Sequence, residues 1–169
     1  MQILTAPNPI LLKQCDDVVL ADEPDIERTM HEMAELMYEA YGCGLAAPQV
    51  GITKKMVVVD CEWGDDDATR NPIFLINPYV ESTSGELVVE EEGCLSIPGI
   101  TVPVERRENA VVKAIDFDGD PFTIEASGFL ARCLQHEIDH LAGITLFEKL
   151  DVMDRLAKLE EYKAALQEM

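Results

Sequence analysis

Gln135-His136-Glu137-Ile138-Asp139-His140 sets two histidines four residues apart in a 169-residue chain that has only three. That spacing is useful on a helix. At a rise of about 1.5 Å per residue, side chains four apart stand about 6 Å apart along the axis and share one face. Both imidazoles can then reach one metal ion, and Glu137 can reach a water held there as a general base. Two surface histidines carried by chance are the plainer reading, but two of the three histidines fall in this one pattern, which favours the metal. Such a site needs a third protein ligand, so the fold must bring a distant donor against this helix. No histidine follows His140. Glu148 is the first acidic candidate downstream, a few residues past the glycine stop at Gly143, and matches zinc-protease spacings poorly. Cys94, in Glu91-Glu92-Gly93-Cys94-Leu95-Ser96-Ile97-Pro98, is the other donor in an unusual setting, although alone it reads rather as an ordinary buried thiol.

The rest of the chain supplies the frame. After a Pro- and Asp-rich lead-in, Ile26, Met30, Met33, Met37 and Tyr41 recur at spacings of three and four, which predicts a helix opened by Asp25 and stopped by Gly42. Gly42 to Gln49 is too small and too rich in Gly and Pro for a regular element. Met56–Val59 and Ile73–Ile76 read as strands, the second ended by Asn77-Pro78. Val111–Phe117 and Phe122–Ala126 flank Asp118-Gly119, a hairpin signal. The metal-binding helix is predicted from about Ser127 to Ala142, with Gly143 past its end. Val152, Leu156, Leu159 and Leu166 among charges predict an amphipathic C-terminal helix over 151–169. Helices at both ends and one between strands predict an α+β fold: antiparallel β-sheets packed around a central metal-binding helix, in one domain spanning 1–169.

Charge narrows the partners. Thirty-three acidic residues against thirteen basic ones leave −20, a surface that repels phosphate backbones and anionic headgroups. Direct nucleic-acid or membrane binding is therefore not expected. A hydrophobic content of 47% distributed along the chain favours a folded domain over a disordered one. The five cysteines (Cys15, Cys43, Cys61, Cys94 and Cys133) are scattered and odd in number. With no signal-peptide pattern at the start, a reduced, cytoplasmic protein is the expectation.

Three blocks, in order, resemble the peptide deformylase family: Gly-x-Gly-Leu-Ala-Ala-x-Gln at Gly42–Gln49, Glu-Gly-Cys-Leu-Ser at Glu92–Ser96, and Gln-His-Glu-x-Asp-His at Gln135–His140. The similarity runs from the first residues to about Leu150. It implies that Cys94, His136 and His140 bind one divalent ion, Fe(II) by family habit with Zn(II) or Ni(II) able to take its place. One thiolate with two imidazoles suits all of these. It implies removal of formate from the N-formyl-methionine of nascent chains emerging from the ribosome, with metal-bound water as nucleophile and Glu137 as general acid and base. The oxyanion would be held by the Gln49 amide, the Leu95 backbone N–H and the metal. Gly44, Cys43, Glu92, Phe129 and Cys133 would meet the substrate, Gly44 through its backbone and Cys43, Phe129 and Cys133 around the methionine side chain. A monomer is expected.

Read without the resemblance, Gln49 orders its own loop, Gly42 serves only the turn, and Phe129 and Cys133 are core. Gln135 and Asp139 either support the imidazoles, with Arg106 as a partner, or face solvent. Glu90 and Glu91 read as a solvated face. A metallopeptidase, and a metal-binding module without activity, are the alternative functions. Two departures stand out. Thr101 occupies a place where some members carry Arg, leaving Arg106 or Arg107 as candidates to serve the peptide. The segment 151–169 holds five acids against three bases, unlike the basic tails of several relatives.

Overall fold

The computed structural model describes residues 1–169. Helix α1 spans Ile26–Glu39, α2 Gly128–Leu141 and α3 Val152–Glu168; strands run over Gly44–Ala46 (β1), Met56–Val59 (β2), Ile73–Cys94 (β3), Ile97–Ile115 (β4) and Pro121–Ser127 (β5). All neighbours are antiparallel, in the order β1-β2-β3-β4-β5. The α+β expectation holds, with the strands joined into one continuous sheet.

Strand β2 shows how the layers form. Val57 and Val59 pack toward α2, and Met56 and Val58 toward α1. A strand covered on both faces has no polar side, which is why Met56–Val59 is apolar without alternation. Helix α1 contributes Met30, Met33 and Met37, none of them exposed. Helix α2 is buried almost all round, including Arg132, His136, Glu137 and His140. A third cluster joins Ile97, Val102 and Val104 of β4 to Leu146, Phe147 and Tyr162.

Several boundaries differ from the sequence reading. Helix α1 ends at Glu39, and Tyr41, expected on its buried face, lies beyond it at φ 56°, largely exposed and stacked on Trp63. Tyr41 itself is the left-handed residue of the stop: its N–H donates to Tyr38 O, and the Gly42 N–H reaches back to Met37 O. Gly42 is glycine for another reason, since a Cβ there would stand 2.7 Å from Leu95 Cδ1. At the end of α2, Gly143 does take the left-handed role (φ 74°), with Ile144 N–H donating to Asp139 O.

Strand β3 does not stop at Asn77-Pro78. Asn77 adopts φ 51°, which Asn tolerates, and the β3–β4 register shifts there and resumes at Tyr79. The Asn77 amide is tied to both backbone groups of Val18, at 2.7 and 2.9 Å. From Glu81 to Leu87 the strand is exposed on both faces, so no period-two signal exists to read. Gly44–Ala46, read as irregular, is a buried strand against β2. In α3 the expected apolar residues Val152, Leu156 and Leu166 are exposed. Leu159 and Tyr162, the latter outside the aliphatic pattern, make the contact instead.

Candidate metal centre and active site

Three elements converge. Helix α2 presents His136 and His140, the β3–β4 hairpin presents Cys94 just before its Leu95-Ser96 turn, and β1 with the following turn presents Gly44 and Gln49. The ligating atoms of Cys94, His136 and His140 lie within 4.8 Å of one another, and Cys94 Sγ is 3.4 Å from His140 Nε2. Of the two candidate donors, the hairpin thiol converges on the histidines, whereas Glu148 is bound to Thr145. The third histidine, His31, packs on Phe74 with ring centroids 4.6 Å apart, away from this cluster.

One imidazole, His136, is set from behind, while His140 Nδ1 is buried without a protein partner. His136 Nδ1 is 2.8 Å from Glu92 Oε1; a proton held on Nδ1 leaves Nε2 with its lone pair. Glu92 also accepts from Arg106 Nε at 2.7 Å and Arg132 at 2.7 Å. Arg106 reaches on to Asp139 at 2.9 Å. Burial pushes the Glu92 carboxyl up, but the bonds from His136 and Arg106 outweigh it and hold its pKa at about 2. Glu92, expected against the substrate, borders the cleft, but its Oε1 is engaged by His136 and Arg106 and its Oε2 by Arg106 and Arg132. Asp139 pairs with Arg106, whereas Gln135 donates to the backbone of Arg107 and Ala131 and touches no imidazole. Arg106 is buried in this network and unavailable to a peptide, while Arg107 is exposed and bonded to Gly85 O. Glu90 and Glu91 are exposed, as expected.

Glu137 lies beside the cluster, its Oε1 4.0 Å from His136 Nε2. Burial, the largest cause, raises its pKa to about 7. Its Oε2 is buried with no protein partner, an oxygen left for a donor from outside the chain. The carboxylate occupies the space where a Gly44 Cβ would be, 2.5 Å from its Oε1. Gln49 does two things at once: its Oε1 accepts from Ala46 N–H at 2.9 Å, and its Nε2 donates to Ser96 Oγ at 3.1 Å, 3.7 Å from Cys94 Sγ. A cleft of about 640 Å³ opens over these groups, lined among others by Gly44, Leu95, Phe129 and Cys133. Cys43, Phe129 and Cys133 all border it, Phe129 being 58% exposed.

Sequence reading missed Arg132, Ser96, Cys61 and Trp63. Arg132 had a usable signal, since it sits four residues before His136 on one helix face. Cys61 and Trp63 had none, because they enter the cleft only through the pairing of β1 with β2.

A helix-borne His-Glu-x-x-His pair completed by a hairpin thiol, beside a buried carboxyl with a free oxygen, defines a metallohydrolase-type centre. The donor set and the orphan oxygen both fit a divalent ion with water. The polypeptide deformylase family model matches residues 1–156. The chain is 40% identical over 163 residues to the peptide deformylase of Thermodesulfovibrio yellowstonii, covering 96% of each. It is 42% identical over 147 residues to peptide deformylase 2 of Gloeobacter violaceus, covering 87% of this chain and 78% of that one. The crystal structure of a peptide deformylase from Synechococcus elongatus in complex with actinonin superposes with a TM-score of 0.86 at 39% identity, covering 95% of this chain and 86% of that one. The chain belongs to the polypeptide deformylase family, and it is an enzyme of that metal-dependent kind.

Proposed function

We propose that this cleft removes the formyl group from peptides beginning with N-formyl-methionine, releasing formate, and that Cys94, His136, His140 and Glu137 are its reaction centre. The observation that carries the assignment of roles is the buried Glu137 carboxyl, with one oxygen unpartnered, beside three converging ligand atoms. When bound there, a divalent ion supplies a Lewis acid that acidifies water and polarises the formyl carbonyl. The proposed ion is Fe(II), with Zn(II) or Ni(II) able to take the same donors.

The chain's own groups do the rest. Glu137 takes a proton from the attacking water and delivers it to the leaving amine. A pKa raised by burial toward 7 suits a group that must both accept and give. As negative charge grows on the formyl oxygen, the Gln49 Nε2 and the Leu95 backbone N–H donate to it. Strand β1 is the sheet edge, so the peptide backbone adds beside Gly44 as a further strand. Cys43, Phe129 and Cys133 receive the methionine side chain. The proposed source is the nascent chain at the ribosome, met by a monomer with little direct hold on RNA.

The test is formate release from formyl-Met-Ala-Ser, with the acetylated peptide as control. Glu137→Gln is expected to keep its metal and to lose at least a factor of about 100 in turnover. Turnover unchanged in a metal-replete variant overturns the assignment, and cleavage of the acetylated peptide points to a peptidase instead.

A further inference from the structure

The register of β1 on β2 brings a second set of ligand atoms together. Gly44 pairs with Val59, and the Asp60 N–H donates to Cys43 O at 2.9 Å. Cys43 and Cys61 therefore leave the two strands at the same end of the sheet, and α2 crosses that end with Cys133 facing them. The Cys133 thiol lies 3.6 Å from Cys43 O. The three sulfurs lie within 4.8 Å of one another, the same bound that encloses Cys94, His136 and His140. All three are free thiols that border the cleft.

Thiols in a core ordinarily pack as small apolar groups. Three that converge are different. A metal–sulfur distance of about 2.3 Å gives sulfur–sulfur edges of about 3.8–4.0 Å in a tetrahedral or trigonal site. The trio reaches that geometry by closing in by less than about 1 Å. A set of thiolates with no oxygen donor selects soft cations such as Cu(I), Zn(II) or Cd(II) over Mg(II) or Ca(II). Cys43 and Cys61 are half-buried, so an ion can enter from the cleft. Within the trio the Cys133 and Cys61 thiols stabilise a negative sulfur on Cys43 and lower its pKa, while their own are pushed up.

We propose that Cys43, Cys61 and Cys133 form a second metal site, for one soft cation, in the wall of the cleft and separate from the Cys94–His136–His140 centre. Each thiol that ligates gives its proton to solvent, so binding tightens as pH rises. If the deformylase reading of the cleft holds, an ion at this site narrows the space for the methionine side chain and raises KM; the site itself does not depend on that reading.

The experiment is titration of the zinc-loaded enzyme with Cd(II), following the ultraviolet thiolate-to-cadmium absorption and the zinc released. One further equivalent bound per chain, with three-thiolate intensity and the first zinc retained, is expected. Cys61→Ser, and independently Cys61→Ala, should weaken uptake at least tenfold while leaving the first equivalent in place. No second equivalent in the wild type, zinc release matching cadmium uptake, or uptake by both Cys61 variants as tight as in the wild type overturns the proposal. None of these readouts is turnover, so failure here is distinguishable from failure of the deformylase assignment.

Discussion

Gly44 and Glu92 show how much of this site rests on residues that never meet a reacting atom. A methyl group at Gly44 would stand 2.5 Å from Glu137 Oε1 and 2.8 Å from its Cδ, closer than any real contact. Gly44→Ala must therefore move the carboxylate, and displacements near 1 Å cost on the order of 100-fold in rate. Deformylation is expected to fall at least tenfold with metal content unchanged; unaltered kcat/KM would show that Glu137 needs no such room. Glu92 is testable by pH. Its carboxyl has a folded pKa of about 2 against an ordinary 4.5. A depressed carboxylate contributes stability that is complete above its unfolded pKa and lost as pH falls through its folded one. A shift of that size corresponds to on the order of 3 kcal/mol. Glu92→Gln also leaves Arg106 and Arg132 buried without their anion. The variant should melt well below wild type at pH 7, with the gap closing as pH falls from about 4.5 toward 2. A gap independent of pH would mean that Glu92 acts by packing alone. Gly44 was legible as a motif residue, but its debt to Glu137 was not, because the two are distant in sequence and meet only when α2 crosses β1.

Among the elements, α1 was readable because it buries a stripe that the helical period exposes to inspection, and α2 because of its histidine spacing. The α2 stop was also readable, since Gly143 is the left-handed residue. The long β3–β4 ladder was not. Its middle is wet on both faces, and a strand with no buried face carries no alternation. That ladder nonetheless delivers Cys94, because its turn at Leu95-Ser96 is the hairpin tip aimed at α2. Helix α3 was placed correctly but turned wrongly. Its aliphatic residues suggested one face, while the structure anchors it through Tyr162, whose hydroxyl donates to Ala6 O at 2.9 Å and whose ring lies 5.7 Å from Phe147. Tyr162→Ala should therefore cost about 3 kcal/mol in denaturant unfolding, and Leu156→Ala less than about 0.5 kcal/mol. The reverse order would mean that the leucine face makes the contact.

For the whole molecule, a charge of −20 is a cost carried by the folded state. Like charges held close repel more strongly than in an expanded chain, and salt screens them. The melting temperature should rise by several degrees between about 10 mM and 500 mM NaCl; a fall would show that the ion pairs outweigh the net repulsion. No helix is long and apolar enough to cross a membrane. By itself the sequence determined the chemistry on offer: a helical histidine pair with its glutamate, a cysteine block, a glutamine block, and the three blocks together as a deformylase. These are local, written in residue types at short fixed spacings. Only the tertiary structure brought the hairpin thiol against the histidines, placed Glu92 on His136 with Arg106 and Arg132 around it, and put Cys43, Cys61 and Cys133 in one wall. Those facts depend on strand register and on the crossing of α2 over β1 and β2. Both are set by burial across the whole core, and no short window of sequence contains them.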